Sequence, residues 1–290
     1  MGNVLIDNLI GRLYGDPVKS ELSYRNVYKY LDKYMSQLGK QTYTEKQNAS
    51  VKENKTIWIL WLQGMEHAPK LIRRCYESVE RNKPDDFDIV LLTSENIHHY
   101  VDFPSYIWEK YEKGIITKTH FSDILRAALL SDYGGCWIDA TVYCSEKIPD
   151  YMLNGEIFFF RGSLHNKSVL KGSSWWIYSR KKHPLMCDLK ELLYVYWEKE
   201  KVLKDYYLFH IMVAKLIDTN ASYKKVFQQM LYVNNSNSHM LYRELSSKYD
   251  AEKWSTIKSI SPVHKLSYKK KYILGDLDTF YMALTGNRLL

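Results

Sequence analysis

Ile57-Trp58-Ile59-Leu60-Trp61-Leu62 is a near-continuous apolar run, the pattern of a parallel strand buried on both faces. Downstream of it, Ala68 to Asn82 sets Leu71, Ile72, Cys75 and Val79 at helical spacing. Phe87 to Thr93 is a second apolar strand, entered through the turn Pro84-Asp85-Asp86. Strand, helix and strand in this order make a right-handed βαβ unit the default. Further on, His120 to Tyr133 predicts a helix whose buried face is Phe121, Ile124, Leu125, Ala128 and Leu129. Ser122 suits its N-cap, and Gly134-Gly135 supplies its stop. Cys136 to Ile138 then reads as a short buried strand ending at Asp139. Glu156 to Phe160 and Ser174 to Ser179 are predicted strands, and Pro184 to Lys199 and Asp205 to Asp218 predicted helices. The fold class these elements imply is α/β.

The chain has 290 residues, 46% of them hydrophobic and 14% aromatic, including 25 Tyr and 8 Trp. Burial of so much aromatic surface offsets the entropy of ordering, so disorder of the whole chain is excluded. The formal charge of +8 favours anionic partners without choosing among nucleic acid, phosphorylated ligands and acidic membranes. Cys75, Cys136, Cys144 and Cys187 form no CxxC pair and no zinc-like spacing, which points to a reducing, cytoplasmic compartment. No apolar run is long enough to span a membrane, and the N-terminus lacks the basic-then-apolar pattern of a signal peptide. The position that myristoylation requires to be Ser or Thr is Ile6. A soluble or membrane-peripheral protein is expected.

Residues 1–54 read as a helical segment with Leu5, Ile6, Leu9, Ile10 and Leu13 on one face, packed on or beside a main unit at 55–290. The alternative is an interfacial membrane helix, against which Asp7 and the few basic residues count. Gln47 to Lys55 is the plausible linker.

The sharpest constellation is Ser122-Asp123-Ile124-Leu125-Arg126 followed by Tyr133-Gly134-Gly135-Cys136-Trp137-Ile138-Asp139-Ala140-Thr141. Asp123 and Arg126 share a helix face beside the apolar one. Asp139 ends a buried strand, at the edge where open α/β sheets bind ligands. The alternative is a surface salt bridge and a turn aspartate. Asp205 suits an N-cap, and His210 reads as a core or hydrogen-bonding histidine. His98-His99 reads as loop. Trp175-Trp176 reads as core, with stacking on a sugar as the alternative. From Lys253 to Gly275 there are six lysines and no acidic residue, around Ser261-Pro262-Val263-His264-Lys265-Leu266-Ser267-Tyr268-Lys269-Lys270-Lys271. Its plainest reading is a solvated basic loop, and its alternative an anion or membrane contact.

The stretch from Ile57 to Tyr143 resembles the glycosyltransferase family 32 relatives known as bacterial capsular polysaccharide synthesis proteins. The likeness rests on Trp61-Leu62-Gln63-Gly64, Ala68-Pro69, Cys75, Ser78, Leu91 to Asn96, and the SDxLR and GGxWxDAT elements together. It resumes at Asp205-Tyr206-Tyr207-Leu208-Phe209-His210 and at His264-Lys265-Leu266-Ser267-Tyr268-Lys269. The resemblance implies a GT-A-like (Rossmann-like) domain with a mixed central sheet and additional helices, its nucleotide-sugar half at about 55–145 and its acceptor-side half at about 146–290. It implies a UDP-sugar donor, galactose or glucose, and transfer with retention of configuration. The implied acceptor is an oligosaccharide or polyprenyl-diphosphate-linked glycan at the inner face of the plasma membrane.

By the same resemblance, Gln63 and Gly64 line the nucleotide site, and Asp123 and Arg126 contact the donor's sugar or ribose. Asp139 stands at the first position of an Asp-x-Asp metal motif, with Thr141 in place of the second acid. Asp139, Thr141 and His264 are the implied ligands of Mn²⁺ or Mg²⁺, which a substrate diphosphate would help to complete. Lys265 or Lys269 neutralises the leaving diphosphate, and Asp205 lies near the donor sugar. Asp205, Asp139 and Lys265 are therefore the expected catalytic residues. Two other classes compete: a catalytically degenerate nucleotide-sugar-binding or membrane-docking protein, and a nucleic-acid binder resting on net charge alone. No basic stripe with interleaved aromatics supports the latter, so no nucleic-acid partner is expected.

Overall fold

The computed structural model describes residues 16–39, 54–164, 168–269, 272 and 278–289. The expected apolar face from Leu5 to Leu13, most of the expected linker, and Lys270 and Lys271 lie outside the described residues. The chain opens with α1 (Asp16–Tyr30) and α2 (Asp32–Met35), then runs β1 (Thr56–Leu60), α3 (Lys70–Asn82) and β2 (Asp88–Leu92). Next come α4 (Ser105–Glu112), α5 (Lys118–Asp132), β3 (Gly135–Ile138), β4 (Val142–Cys144), β5 (Ile157–Arg161) and β6 (Gly172–Ser179). The last third holds α6 (Pro184–Lys199), α7 (Leu208–Thr219), α8 (Ala221–Gln229), α9 (Met240–Glu244), α10 (Ala251–Ile260), β7 (Val263–Lys265) and α11 (Phe280–Thr285).

Five strands form the central sheet in the order β2-β1-β3-β6-β5. β1 pairs in parallel with β2 and β3, β6 is antiparallel to β3, and β5 is antiparallel to β6. The expected mixed α/β architecture is thus the one adopted. Alternation along the strands divides the core in two. Trp58, Trp137, Ile177 and Phe159 face α5, α6 and α7 on one side. Ile57, Ile59, Cys136, Ile138, Trp176 and Tyr178 face the other, with Val79 of α3 and the small β4–β7 ribbon. A third cluster joins α3 to α9, α10 and α11.

Two glycines make the entry to β3 possible. Gly134 and Gly135 have φ of +75° and +91°, a region that side chains disfavour. A Cβ on Gly134 would meet the backbone of Lys181, and one on Gly135 the carbonyl of Thr56. The pair therefore ends α5 and also lets β3 slide in against its neighbours.

Among the contacts that fasten the described N-terminal helices to the domain, one carboxylate gathers three donors. Glu200, just past α6, accepts hydrogen bonds from the hydroxyls of Tyr30 and Tyr34 and from Lys33 Nζ at 2.9 Å. Burial raises its pKa, but these donors reverse the effect and hold it at about 2.

Two expected caps move. Thr117 caps α5, accepting from the His120 amide at 3.2 Å, and Ser122 instead donates to the Thr119 carbonyl. Helix α7 begins at Leu208, so Asp205 sits in the turn before it. There its carboxylate accepts from the Tyr207 amide at 2.8 Å and from Ser23 Oγ at 2.6 Å.

Candidate functional site

Helix α5 carries its polar residues at three-residue intervals, His120, Asp123 and Arg126, in a face that is otherwise apolar and buried. Burying charges there is tolerable only because they meet one another. Arg126 Nη1 donates to Asp123 Oδ1, and Nη2 donates to Asp139 Oδ1 at 3.1 Å. The guanidinium is held between rings, 4.8 Å from the Trp137 centroid and 5.3 Å from that of Phe209. His120 Nδ1 lies 3.4 Å from Asp123 Oδ2.

Asp139 is positioned by β3 and its partner β6. Its amide donates to the Trp175 carbonyl at 2.9 Å, and its own carbonyl accepts from Val142, so the chain turns at once into β4. Trp137 Nε1 donates to Asp139 Oδ1 at 2.9 Å. On the other oxygen, Lys265 Nζ donates to Oδ2 at 2.9 Å and also to Thr141 Oγ1. Lys265 arrives through the β4–β7 ribbon, where it pairs with Val142, and Leu266 N donates to the Thr141 carbonyl at 2.9 Å.

Two carboxylates and two cations thus form a charge-balanced network. Burial raises the pKa of Asp139, but Lys265 and Arg126 more than reverse this and hold it below the usual carboxylate range. Asp123 behaves likewise, burial being outweighed by Arg126 and His120. Next to them, burial pushes His210 down to about 4, so it is neutral at physiological pH.

This network lines one wall of a cleft of about 430 Å³. Tyr206, Tyr207 and His210, leading into α7, form a second wall. Trp175, Asn235 and His239 form a third, tied together by Trp175 Nε1 donating to Asn235 Oδ1 at 2.8 Å and by His239 Nδ1 lying 2.8 Å from the Asn235 carbonyl.

Asp123, Arg126, Asp139, Thr141 and Lys265 are therefore brought together. His264 is not. Strand alternation turns it to the opposite side of β7 from Lys265, where it is fully buried beside Tyr143 and Trp254, with Nε2 2.9 Å from Ser145 Oγ. Gln63 and Gly64 follow β1, which runs parallel to β3, so they share the sheet edge with Asp139 without lining the cleft. Asp205 does not line the cleft either, although the next two residues do. Lys269 is exposed in the turn beyond β7. Trp175 and Trp176 are both core residues, and an edge of Trp175 reaches the cleft. Sequence reasoning missed His120, Asn235 and His239, and read His210 as a core or hydrogen-bonding histidine rather than a cleft residue. His120 alone carried a signal, three residues ahead of Asp123 on the same helix face.

The donor set does not fit a Mn²⁺ or Mg²⁺ ion. Both oxygens of Asp139 already face cationic or N–H donors, position 141 supplies a hydroxyl rather than a second carboxylate, and His264 points elsewhere. Among the described residues no group of three His, Cys, Asp or Glu side chains converges as metal ligands.

The lysine-rich stretch is less free than its sequence implies. Lys253 pairs with Glu244 and Lys258 with Glu146, each at 3.0 Å, and Lys265 is committed to the site. No described helix is long and apolar enough to cross a membrane.

A family model described as capsular polysaccharide synthesis protein matches residues 17–284. The O-glycosyltransferase braB of Annulohypoxylon truncatum is 30% identical over 112 residues, 36% of this chain and 27% of that protein. The O-glycosyltransferase PaGT of Phomopsis amygdali is 28% identical over 104 residues, 33% of this chain and 26% of that protein. The chain thus spans about a quarter of the length of the curated relatives it matches. Among solved structures, the PaToxG glycosyltransferase aligns over 74% of this chain and 85% of its own, at 13% identity and a TM-score of 0.41.

Proposed function

Because the chain belongs to the capsular polysaccharide synthesis protein family, we propose that it is a retaining hexosyltransferase. It takes galactose or glucose from a UDP-sugar and passes it to an oligosaccharide or polyprenyl-diphosphate-linked glycan in capsular or surface polysaccharide synthesis. The observation that carries this reading is the cleft at the C-terminal end of β3, where Asp139 is locked between Arg126 and Lys265. Ligands of open α/β sheets bind at that edge, and a departing diphosphate needs fixed positive charge to stabilise it. Exposed Tyr206 and Tyr207 at the mouth offer aromatic faces to an acceptor sugar.

Retention calls for a carboxylate nucleophile or for attack on the face the diphosphate leaves. Asp123 is paired with Arg126, Asp139 is engaged on both oxygens, and Asp205 is held by Ser23 and the Tyr207 amide. Carboxylates so engaged are poor nucleophiles, which favours same-face attack. The bond from the anomeric carbon to the phosphate oxygen breaks, and its electron pair leaves with the diphosphate. The acceptor oxygen bonds the same face, and its proton passes to a departing phosphate oxygen. Lys265 and Arg126 stabilise the leaving charge. Peripheral attachment at the inner membrane face then follows from the lipid-linked acceptor rather than from the lysine stretch.

Thr141 at the second acidic position favours a second reading, a degenerate protein that binds a nucleotide sugar without turning it over. Incubating the purified chain with labelled UDP-galactose and UDP-glucose distinguishes the two. Slow donor hydrolysis that disappears in Asp139→Asn supports the enzyme. Binding of a nucleotide sugar with neither hydrolysis nor transfer supports the binder.

A further inference from the structure

Lys265 Nζ sits between Asp139 Oδ2, at 2.9 Å, and Thr141 Oγ1. These oxygens, separated in sequence by Ala140 alone, are the two that the Asp-x-Asp pattern would offer a divalent ion. We propose that Lys265 is the resident cation of this site, and that the protein binds its nucleoside-diphosphate ligand without a divalent metal. The inference rests on the nucleotide-sugar reading above.

Three features fit a lysine there and not a metal. The first is anchorage: Lys265 lies opposite Val142 in the β4–β7 ribbon, so its backbone is fixed one residue from Thr141. The second is charge. One carboxylate and one hydroxyl match a single positive charge, whereas a hard divalent ion draws on further anionic oxygens. Arg126 occupies the other oxygen of Asp139 and Asp123 balances Arg126, so no anionic group of the cluster is left over. The third is valence. An ammonium has three N–H donors, and Asp139 and Thr141 use two. The third remains for a phosphate oxygen, and Lys265 lines the cleft with its side chain 20% exposed. Thr141 then ceases to be a defect: an aspartate there would add a charge with no partner inside the cluster.

The test is calorimetric titration of the metal-stripped full chain with UDP, GDP, CDP, ADP and dTDP, in EDTA and in millimolar Mn²⁺. The expected result is that the tightest of these binds in EDTA with an affinity less than about tenfold below that in Mn²⁺. Binding that appears only with Mn²⁺, or improves beyond that ratio, overturns the proposal and leaves the nucleotide-sugar reading standing. No binding of any nucleotide in either buffer overturns both. Lys265→Ala, checked for folding by circular dichroism, should weaken binding in EDTA at least tenfold, about 1.4 kcal/mol, with Lys265→Arg recovering part of it. The double variant Lys265→Ala/Thr141→Asp should become Mn²⁺-dependent. A Lys265→Ala protein that binds in EDTA as tightly as the parent overturns the assignment. If that variant does not fold, the two buffers with the parent chain still decide.

Discussion

Asp139 is the residue on which the site converges, with Arg126, Trp137 and Lys265 all directed at its two oxygens. Asp139→Asn keeps the shape and removes the charge that orients both cations. Turnover should fall at least about 100-fold, about 2.7 kcal/mol of transition-state stabilisation, and the melting temperature should drop as well, because Arg126 and Lys265 lose the charge that balances them. Steady-state donor hydrolysis beside a thermal melt checks this. Asp123 differs because it is enclosed together with Arg126, its side chain 9% exposed against 26% for Asp139. Asp123→Ala leaves half of a buried ion pair uncompensated and should cost about 3–5 kcal/mol in urea unfolding, besides weakening the donor. A loss below about 1 kcal/mol would mean that Asp139 and the two rings suffice to hold Arg126. Both aspartates could be picked out from the sequence, one from helix spacing and the other from a strand end. Their partnership could not, because Arg126 reaches Asp139 only once α5 lies over β3.

At the scale of elements, the α5–β3 junction carries the site. Gly134 and Gly135 were readable as a helix stop. Their second duty, leaving room for the Lys181 backbone and the Thr56 carbonyl, belongs to strands that meet only in the fold. Gly135→Ala combines a disfavoured backbone region with a backbone collision, and should destabilise by at least about 2 kcal/mol. Because β3 would shift with it, activity should fall further than stability accounts for, which parallel melts and hydrolysis assays would separate. The β4–β7 ribbon has strands of three residues each, too short for any periodicity to announce. The resemblance placed both His264, as a metal ligand, and Lys265, at the diphosphate, and strands this short carry no alternation that would have separated them. Period-two alternation makes the two mutually exclusive, since neighbouring strand residues face opposite ways.

At the scale of the molecule, three buried histidines set an acid limit. Burial lowers the pKa of His183 and His210 to about 4 and of His264 to about 3, against 6.5 when exposed. The unfolded chain therefore binds protons that the fold refuses. Stability should be complete above pH 6.5 and decline as pH falls towards 4, by about 1.4 kcal/mol per pH unit for each histidine involved. Asp123, Asp139 and Glu200 carry depressed values, so their contributions are present above the ordinary carboxylate range and are lost only at lower pH. Urea unfolding at stepped pH should thus show a decline that begins well before the carboxylates titrate. A flat profile between pH 6.5 and 5 would contradict it.

The sequence by itself determined β1, β2, β3, β5, β6 and the helices α3, α5, α6 and α7, where α5 must stop, and that Asp139 ends a buried strand. Each is a local property, written in the spacing of apolar residues, the placement of glycine and the end of a run. Only the tertiary structure decided what each charge meets. Asp205 finds Ser23, Lys253 finds Glu244, Lys258 finds Glu146, and Asp139 finds Lys265, 126 positions away. Backbone hydrogen bonding and side-chain alternation act over a few residues and leave a trace in the order of residue types. Ion pairing acts through space at about 3 Å, between groups that the chain alone does not bring together.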